Sequence, residues 1–402
     1  MDWPELIKLT IADGKQEDLK VQGELVVDRQ AQRRELFEHV WHRTNETFYT
    51  AGFHGADWSA LKPTYEKYLP HIGNEHEFTE MLNELLGELN ISHSGARLRA
   101  SSSEDDATAS LGVFYDQQYP GPGVRIVEVI ANGPLDRNGL EAAPGTIIEA
   151  IDGESIGAGQ DLAALLNRKA GKRTLITLRK GGDTEQHVVT PIDAGTERGL
   201  LYERWVRRNR DEVTRLSNGR LGYIHIRGMN DGAYRDTFEE VLGRFATREG
   251  LVVDTRFNGG GDLVGDLAMF LTGERFFDYT NDEVSNGYEP NFRWTKPSVS
   301  IVGESNYSDA HCYAYMYQSL EIGPLIGMPV PGTCTFAGWE LLPNGIVWGV
   351  PPVGVKNNAG EYLENMQTEP DIRVMNEFAA RSSGRDQQLE AAVEALLQRL
   401  TP

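Results

Sequence analysis

A serine stands where a buried strand is expected to give way to a helix. The apolar run Val299–Val302 predicts a strand, and the aromatic residues from Tyr313 to Tyr317 predict a helix, with Ser308 between them. A serine at such a turn presents its hydroxyl close to the free N–H groups at the start of the helix. Ser308 is therefore a candidate nucleophile, with simple capping of the helix as the alternative.

Three glycines directly follow a second apolar strand. The strand Leu251–Arg256 runs through Phe257 and Asn258 into Gly259–Gly261. Glycines in this place let backbone N–H groups point into a cleft without obstruction by side chains. A phosphate-binding loop would require a lysine followed by serine or threonine, and no such pair follows. The run favours an oxyanion hole, and a tight turn without a ligand is the alternative.

A histidine beside a hydroxyl group follows an amphipathic helix. Apolar residues recur every three or four positions from Phe78 to Leu89 and predict a helix that ends near Asn90. Ser92 and His93 come directly after it. A lone histidine is more often structural, but beside a nucleophile it can act as a general base.

Several histidines suggest a metal site as a further alternative. His39 and His42 lie three residues apart in a predicted helix, with Glu35 and Glu46 about one turn away. The His-Glu-x-x-His pattern is absent, because only two residues separate these histidines. We therefore expect neither a catalytic metal nor another cofactor. The histidines in this region are His39, His42, His54, His71, His76 and His93.

Length and charge limit the class of protein. A chain of 402 residues is too long for one hydrophobic core and predicts two or three domains. Its 60 acidic and 39 basic residues give a formal net charge of -21, which opposes binding to nucleic acid phosphates. Its apolar stretches fall short of the roughly 20 residues that a membrane span needs. We expect neither a nucleic acid nor a membrane partner.

The cysteines and the N-terminus carry weaker signals. Cys312 and Cys334 are too few for a disulfide framework and lack the spacing of metal ligands, so free thiols are expected, with one bridge as the alternative. Residues 1–28 contain no visible signal peptide. This favours a cytoplasmic location, with the periplasm as the alternative if a leader has been removed.

The predicted elements divide the chain into four segments and indicate a mixed α/β multidomain fold. Strands alternate with helices after Arg204, which predicts a layered α/β sandwich as the catalytic domain. A polar run, Ser101–Asp106, reads as a linker. The segments are an N-terminal strand segment at 1–28, a helical subdomain carrying the general base at 29–106, a small β domain at 107–195 and the catalytic domain at 196–402.

The β domain resembles a bacterial PDZ domain. The resemblance rests on Val129–Leu135 followed by Pro144–Ile148, and on the order of strands around the predicted helix Asp161–Arg168. PDZ domains add an extended peptide as a strand and hold its carboxylate in a backbone loop, although a spacer role is the alternative. The resemblance implies a peptide-binding loop made of Leu111, Gly112 and Val113.

Taken in order, the motifs are similar to the core of tricorn protease and its relatives, in the same superfamily as the C-terminal processing peptidases. The similarity covers nearly the whole chain after Arg29. Besides the PDZ-like domain, the motifs that carry it are Gly55–Trp58, Ser92-His93, Arg256–Gly261, Tyr307–Asp309, Gly323–Gly327, Glu364-Asn365 and Glu369–Ile372.

This resemblance implies a serine endopeptidase that cleaves peptides or unfolded polypeptide segments through an acyl-enzyme intermediate. Ser308 would attack the scissile carbonyl and His93 would take its proton. Ser92 would hydrogen-bond near the base, and Glu364 would orient the base through that hydroxyl. Glu369 is the alternative carboxylate.

The resemblance also implies an oxyanion hole and allows a homo-oligomer. The oxyanion would be held by the backbone N–H groups of Gly260 and Asp309. Tricorn-like enzymes form rings, which is why a homo-oligomer is an expectation. A catalytically inactive, peptide-binding PDZ scaffold derived from such a peptidase is the alternative function.

The sequence separates the two branches of the superfamily. C-terminal processing peptidases use a lysine base inside a Thr-Phe-Gly-Lys stretch after the serine. The matching place here is Gly332–Trp339, and no lysine or arginine occurs between Asp309 and Val355. A Ser-His arrangement is therefore expected instead of a Ser-Lys dyad.

Overall fold

The computed structural model groups the chain into two compact units. One comprises Met1–Asn90, Ser94–Arg99 and Ala337–Val353, and the other comprises Ile91–His93, Ala100–Phe336 and Gly354–Pro402. The residues that the structure describes are 7–19, 24, 26–99, 106–140, 142–157, 159–281 and 284–401. The predicted linker lies outside them except for Asp106, as do parts of the predicted strand segment at 1–28.

The first unit is mainly helical. Asp28 accepts hydrogen bonds from the N–H groups of Gln30 and Ala31 and so begins the first long helix. The predicted amphipathic helix buries its apolar face. The long helices are Arg29–Thr47, Trp58–Glu66 and Glu75–Gly87. Short 3-10 turns lie at Phe53–Gly55 and Leu69–His71. The strands are Ile7–Leu9, Gln16–Asp18, Gly95–Leu98, Trp339–Leu341 and Ile346–Gly349.

Two boundaries differ from those predicted. Strand Ile346–Gly349 pairs antiparallel with Gly95–Leu98, so residues 337–353 group with the helical unit although the sequence placed them in the catalytic segment 196–402. Residues 91–93 group with the second unit although they follow the helix Glu75–Gly87. Pairing between strands far apart in sequence leaves no local pattern, which is why neither boundary was predicted.

The PDZ-like segment is an antiparallel β domain with one short helix. Its inward-facing apolar residues, such as Ile126, Ile148 and Ile176, form a separate core. The strands are Val113–Tyr115, Val124–Val129, Ile147–Ile151, Glu154–Ser155, Thr174–Lys180 and Asp183–Val189, and the helix is Leu162–Leu166. The helix falls within the predicted range Asp161–Arg168.

Residues 196–402 contain a five-stranded parallel sheet with helices on both faces. Strands such as Gly250–Asp254 are buried along their whole length, as parallel strands covered on both faces must be. In sheet order the strands are Leu221–His225, Gly250–Asp254, Ser298–Val302, Leu325–Gly327 and Ile372–Arg373. The predicted mixed α/β multidomain class is confirmed.

Helices and shorter elements complete this segment. The helices are Ala194–Leu216, Asp231–Glu239, Val264–Leu271, Asp309–Ser319, Phe378–Ser382 and Gln387–Arg399, with a π turn at Glu240–Arg244. The remaining strands are Phe277–Asn281, Val284–Glu289, Thr335–Phe336 and Val353–Gly354. Because the main strands are parallel, the glycine run after Gly250–Asp254 and the turn carrying Ser308 leave the sheet at the same edge.

A buried arginine anchors the glycine loop to the end of the chain. Arg256 donates to both oxygens of Asp254 and, through Nη1, to Asp386 at 2.9 and 3.0 Å and to Gln388 at 2.9 Å. Burial alone would raise the pKa of Asp254, but the guanidinium holds that pKa below its usual value. The ion pairs therefore fix the strand end from which the loop emerges.

The expectation of free thiols was wrong. Cys312 and Cys334 form a disulfide, with their Cα atoms 5.2 Å apart and a sequence separation of 22. Cys312 lies in the first turn of helix Asp309–Ser319, and Cys334 lies in the connection that follows strand Leu325–Gly327. Composition does not predict that the two cysteines lie close together. They do so because the segments that follow two neighbouring parallel strands leave the sheet at the same edge.

Candidate active site

Ser308 occupies a strained turn between strand Ser298–Val302 and helix Asp309–Ser319. Its φ of 58° and ψ of -127° are unusual for a residue with a side chain, and such outliers cluster at functional sites. The turn is held from within, because Asn306 Oδ1 accepts the Gly303 N–H at 3.0 Å. The Ser308 side chain makes no capping hydrogen bond, so capping does not account for this serine.

His93 is buried beside the residue that precedes Ser308. Its side chain is 7% exposed, and its backbone also has a positive φ, of 55°. The His93 N–H donates to the hydroxyl of Tyr307 at 2.8 Å, and the two ring centroids are 4.7 Å apart. The structure therefore brings the predicted nucleophile turn and the predicted base into one cluster.

A carboxylate, a hydroxyl and the imidazole form a chain of hydrogen bonds. Glu364 accepts from the Ser92 N–H at 2.6 Å and from Ser92 Oγ at 2.8 Å. Ser92 Oγ lies 2.8 Å from His93 Nδ1. Since the Ser92 hydroxyl gives its hydrogen to Glu364, it accepts from Nδ1–H, which leaves the lone pair of the neutral imidazole on Nε2.

The alternative carboxylate lies elsewhere. Glu369 is exposed, and its Oε1 accepts from Gln367 Nε2 at 2.5 Å. Glu364, by contrast, is 7% exposed and contacts Ser92 through both oxygens. Of the two carboxylates considered from the sequence, only Glu364 lies in the cluster with His93.

Burial sets the protonation state of the imidazole. Removal from water lowers the pKa of His93 below its usual value of 6.5. The neutral form, which can accept a proton, is therefore the form present at neutral pH. In this conformation no hydrogen bond joins the Ser308 hydroxyl to His93, and such contacts often tighten only when substrate is bound.

Two threonines that sequence reasoning missed lie on either side of Cys334. Thr333 Oγ1 accepts the Ser308 N–H at 2.9 Å, and Thr335 Oγ1 lies 3.0 Å from His93 Nδ1. Both side chains are buried. Their only distinguishing feature in the sequence is that they lie within Gly332–Trp339, the stretch that stands in place of Thr-Phe-Gly-Lys.

A buried second histidine holds Thr333 in place. His311 Nδ1 accepts the Thr333 N–H at 3.0 Å, so its hydrogen is on Nε2, which lies 3.0 Å from Thr368 Oγ1. Burial lowers the pKa of His311 to about 4, in keeping with this neutral tautomer. His311 therefore supports the loop that contacts Ser308. Both of its ring nitrogens already have hydrogen-bond partners, so neither is available to accept a proton from Ser308.

The glycine loop lies directly against the turn that carries Ser308. A Cβ atom on Gly260 would lie 2.5 Å from Ser308 Cβ and 2.9 Å from the backbone nitrogen of Asp309. Asn258 joins the two loops, since its carbonyl accepts the Tyr307 N–H at 3.0 Å. The close approach, together with a φ of 94° at Gly260, explains why glycine stands there.

The two predicted oxyanion donors differ in their present partners. The Gly260 N–H donates to Asn258 Oδ1 at 2.8 Å. The Asp309 N–H opens helix Asp309–Ser319, and it makes no hydrogen bond within the described part of the chain. Asp309 also uses its carboxylate, which accepts the N–H groups of Leu263 at 2.6 Å and Val264 at 3.1 Å, and burial raises its pKa.

The predicted peptide-binding loop leads into an edge strand of the PDZ-like domain. Strand Val113–Tyr115 pairs with Val124–Val129 and ends the described sheet, which leaves an edge of the kind that a peptide adds to. Leu111 and Val113 are buried in the domain core. They therefore shape the loop from inside, and their peptide-binding role stays a prediction.

An acidic group already lies at this loop. The Gly112 N–H donates to Ser110 Oγ at 2.9 Å, and Ser110 Oγ donates to the carboxylate of Glu197 on helix Ala194–Leu216. A carboxylate in this position opposes the binding of a second carboxylate at the end of a peptide.

The histidines of the helical unit do not gather with other metal-binding side chains in the described ranges. Among the described residues, no group of three or more His, Cys, Asp or Glu side chains could hold a metal ion. His39 and His42 contact Glu340 and Glu38 at 3.3 and 3.5 Å. Of the helices in the described ranges, none is long and apolar enough to cross a membrane.

Comparison with known proteins shows which families this chain resembles. Residues 220–374 match peptidase family S41, residues 29–87 match the tricorn protease C1 domain, and residues 125–194 match the tricorn protease PDZ domain. These matches confirm the resemblance predicted from the sequence: the chain is similar to tricorn protease, with one region that matches peptidase family S41 and another that matches the tricorn PDZ domain.

Individual tricorn proteases show the same similarity to this chain. A tricorn protease homolog of Saccharolobus solfataricus is 28% identical over 389 residues, covering 93% of this chain and 35% of the relative. The tricorn protease of Thermoplasma acidophilum is 26% identical over 380 residues, covering 91% of this chain and 35% of the relative. The chain thus spans about a third of the length of these two relatives.

A crystal structure of the tricorn protease shares the fold. It superposes with a TM-score of 0.88 at 22% sequence identity, covering 98% of this chain and 41% of that chain. At this identity the likeness establishes the architecture alone.

Proposed function

We propose that this chain is an endopeptidase that cleaves peptides or unfolded polypeptide segments through an acyl-enzyme intermediate. Ser308 is the nucleophile and His93 the general base. Ser92 and Glu364 complete a catalytic tetrad that orients the imidazole. The observation that carries the proposal is the chain of hydrogen bonds from Glu364 through Ser92 to His93 Nδ1, which directs the lone pair to Nε2.

In the first half of the reaction the Ser308 oxygen attacks the carbonyl carbon of the scissile bond. His93 Nε2 takes the hydroxyl proton, and the carbonyl oxygen becomes an oxyanion. When the intermediate collapses, the C–N bond breaks and the imidazolium gives its proton to the leaving amine. An ester between Ser308 and the acyl half of the substrate remains.

In the second half water attacks this ester. His93 accepts a proton from the water and returns it to the Ser308 oxygen as the ester bond breaks. A carboxylic acid leaves and the free enzyme is restored, so no further reactant is needed.

The oxyanion is held by the N–H groups of Asp309 and Gly260. The Asp309 N–H is available now, and the Gly260 N–H would share its hydrogen between Asn258 Oδ1 and the oxyanion. Each such donor is worth about 10²- to 10³-fold in turnover. The contact between Gly260 and Ser308 supports this pairing.

The substrate we propose is a polypeptide without stable structure. The net charge of -21 favours basic peptides through long-range attraction that salt weakens. Peptide capture by the PDZ-like edge strand Val113–Tyr115 and assembly into a homo-oligomer belong to the same proposal.

The test combines covalent labelling with cleavage. A biotinylated fluorophosphonate is added to the folded protein and to the variant Ser308→Ala, and intact mass and peptide mapping locate the adduct. We expect one adduct on Ser308, none in the variant, and cleavage of an unstructured quenched peptide that ceases in Ser308→Ala. His93→Ala should slow both labelling and cleavage.

The alternative is an inactive scaffold. It predicts no adduct and no cleavage in the folded wild-type protein, together with calorimetric binding of the same peptide in uncleaved form. Cleavage that survives in Ser308→Ala would reject the assignment of the nucleophile.

A further inference from the structure

A second hydroxyl lies close to Nδ1 of His93, the ring nitrogen that also lies next to Ser92 Oγ. Thr335 Oγ1 lies 3.0 Å from His93 Nδ1 and 3.2 Å from Ser92 Oγ, and Ser92 Oγ lies 2.8 Å from the same nitrogen. The three atoms thus form a nearly equilateral triangle. Thr335 is 5% exposed, so water does not compete readily for these contacts.

The direction of the hydrogen bonds in this triangle is fixed from one end. Glu364 can only accept when ionised, so Ser92 Oγ donates to it. An unprotonated Nδ1 would set its lone pair against the lone pairs of Ser92 Oγ at 2.8 Å, so Nδ1 carries the hydrogen and can share it between the two hydroxyl oxygens. The Thr335 hydroxyl in turn donates to Ser92 Oγ, which has a lone pair left for it.

The loop that carries Thr335 is rigidly tied to the nucleophile helix. The disulfide from the preceding residue, Cys334, joins it to Cys312 in the first turn of that helix. One residue earlier, Thr333 accepts the Ser308 N–H at 2.9 Å. Thr335 is therefore linked through Cys334 to the helix that follows Ser308, and its hydroxyl contacts the imidazole of His93.

We propose that Thr335 is a positioning residue for the general base, a role that rests on the proposed function of this site. Its hydroxyl is the second acceptor for Nδ1–H of His93. Two acceptors instead of one restrict rotation of the imidazole, favour the tautomer with Nε2 free, and stabilise the imidazolium that forms when Ser308 gives up its proton.

The experiment uses two variants that separate the hydroxyl from the shape of the side chain. Thr335→Val keeps the size and branching and removes the hydroxyl, whereas Thr335→Ser keeps the hydroxyl and removes the methyl group. We expect Thr335→Val to lower kcat about 10- to 100-fold, as for the loss of one hydrogen bond to a charged group, with little change in KM. Thr335→Ser should retain most of kcat.

The pH profile gives a readout that a merely structural role would not change. Without the second acceptor the imidazolium is less stable, so the acidic limb of kcat/KM in Thr335→Val should move to lower pH. In Thr335→Ser the limb should stay in place. Equal losses in both variants with an unmoved limb would show that Thr335 only fills space, and unchanged kinetics in Thr335→Val would also overturn the proposal.

Nitrogen-15 NMR of histidine-labelled protein tests the same claim without requiring turnover. The His93 signals are assigned by their loss in His93→Ala. We expect Nδ1 protonated and Nε2 unprotonated in the wild-type protein at neutral pH, with a measurable population of the other tautomer in Thr335→Val. An identical tautomer ratio in the two proteins would contradict the role of Thr335 even if no substrate were ever cleaved.

Conversely, failure of Ser308 to react with the fluorophosphonate while the tautomer ratio responds to Thr335→Val would count against the proposed function and leave the positioning contact standing.

Discussion

The carboxylate of Glu364 holds Ser92 at two points. One oxygen accepts the backbone N–H at 2.6 Å and the other accepts the side-chain hydroxyl at 2.8 Å, although 272 residues separate the two in sequence. Because both donors of Ser92 point to the carboxylate, its oxygen can only accept from the neighbouring His93. The imidazole is thereby oriented by a residue that never touches it.

Replacing this carboxylate by an amide should reverse the orientation. In Glu364→Gln one position facing Ser92 becomes an NH₂ group, so either the hydroxyl must accept or the backbone N–H loses its partner. We expect kcat to fall at least about 100-fold, as is found when the orienting carboxylate of a triad is lost.

The matched control is Glu369→Gln, which alters an exposed carboxylate nearby in sequence and should leave kcat unchanged. Equal effects of the two substitutions on kcat, measured with the quenched peptide, would remove Glu364 from the tetrad.

The acidic limb of the pH-rate profile should lie below pH 6.5. Burial lowers the pKa of His93 from that value, and the base works only when it is neutral. Lowering the pH therefore removes activity only once it passes the depressed pKa, and activity is retained at pH 6.5. A profile of kcat/KM from pH 4 to 8 measures the limb, and a midpoint above 6.5 would contradict burial as the dominant influence.

A methyl group at Gly260 should disable the site. In Gly260→Ala the new Cβ would lie 2.5 Å from Ser308 Cβ and 2.7 Å from the backbone oxygen of Tyr307, at a φ of 94°. The nucleophile turn or the donor N–H must then move, and we expect turnover to fall at least about 100-fold.

Gly259→Ala is the control, because nothing lies within 4 Å of the added Cβ there. Labelling rates with the fluorophosphonate distinguish the two variants, and similar rates would argue against close packing of the two loops.

Loss of the disulfide should weaken both the fold and the site. Removing a bridge that closes a loop of 22 residues lowers the free energy of unfolding by about 3 kcal/mol in the chain-entropy model. The double variant Cys312→Ala/Cys334→Ala avoids unpaired thiols, and urea unfolding measures its stability. Because Cys334 stands between Thr333 and Thr335, we also expect kcat to fall.

Wild-type protein kept under reducing conditions should behave like the double variant once mass spectrometry shows both thiols free. An unchanged urea midpoint in both would mean that the bridge contributes nothing to the folded state.

The sequence predicted the parts of the site that sit in local patterns. Ser308 was predicted from a strand followed by a helix, His93 from its place after an amphipathic helix, and the glycine loop from a strand that ends in three glycines. Each of these depends on neighbours in sequence, which is why pattern and resemblance reached them. The sequence left Glu369 as an alternative to Glu364, because no local pattern distinguishes two carboxylates five residues apart. Their different burial in the structure does.

The contacts that join distant segments were not predictable in this way. Thr335 meets His93 across 242 residues, and Thr333 meets the Ser308 N–H across 25. Neither threonine belongs to a recognisable catalytic pattern, and hydroxyl side chains are common. The disulfide was missed for the same reason, because only the parallel order of the strands brings its two halves together.

The backbone at position 308 favours glycine over serine. A side chain in that conformation costs the folded state of order 1–3 kcal/mol. Selection for thermal stability alone would therefore favour glycine at this position. A requirement for the hydroxyl oxygen would favour serine. Serine at this position therefore lowers folding stability while it supplies the hydroxyl group, and both effects arise from the same residue.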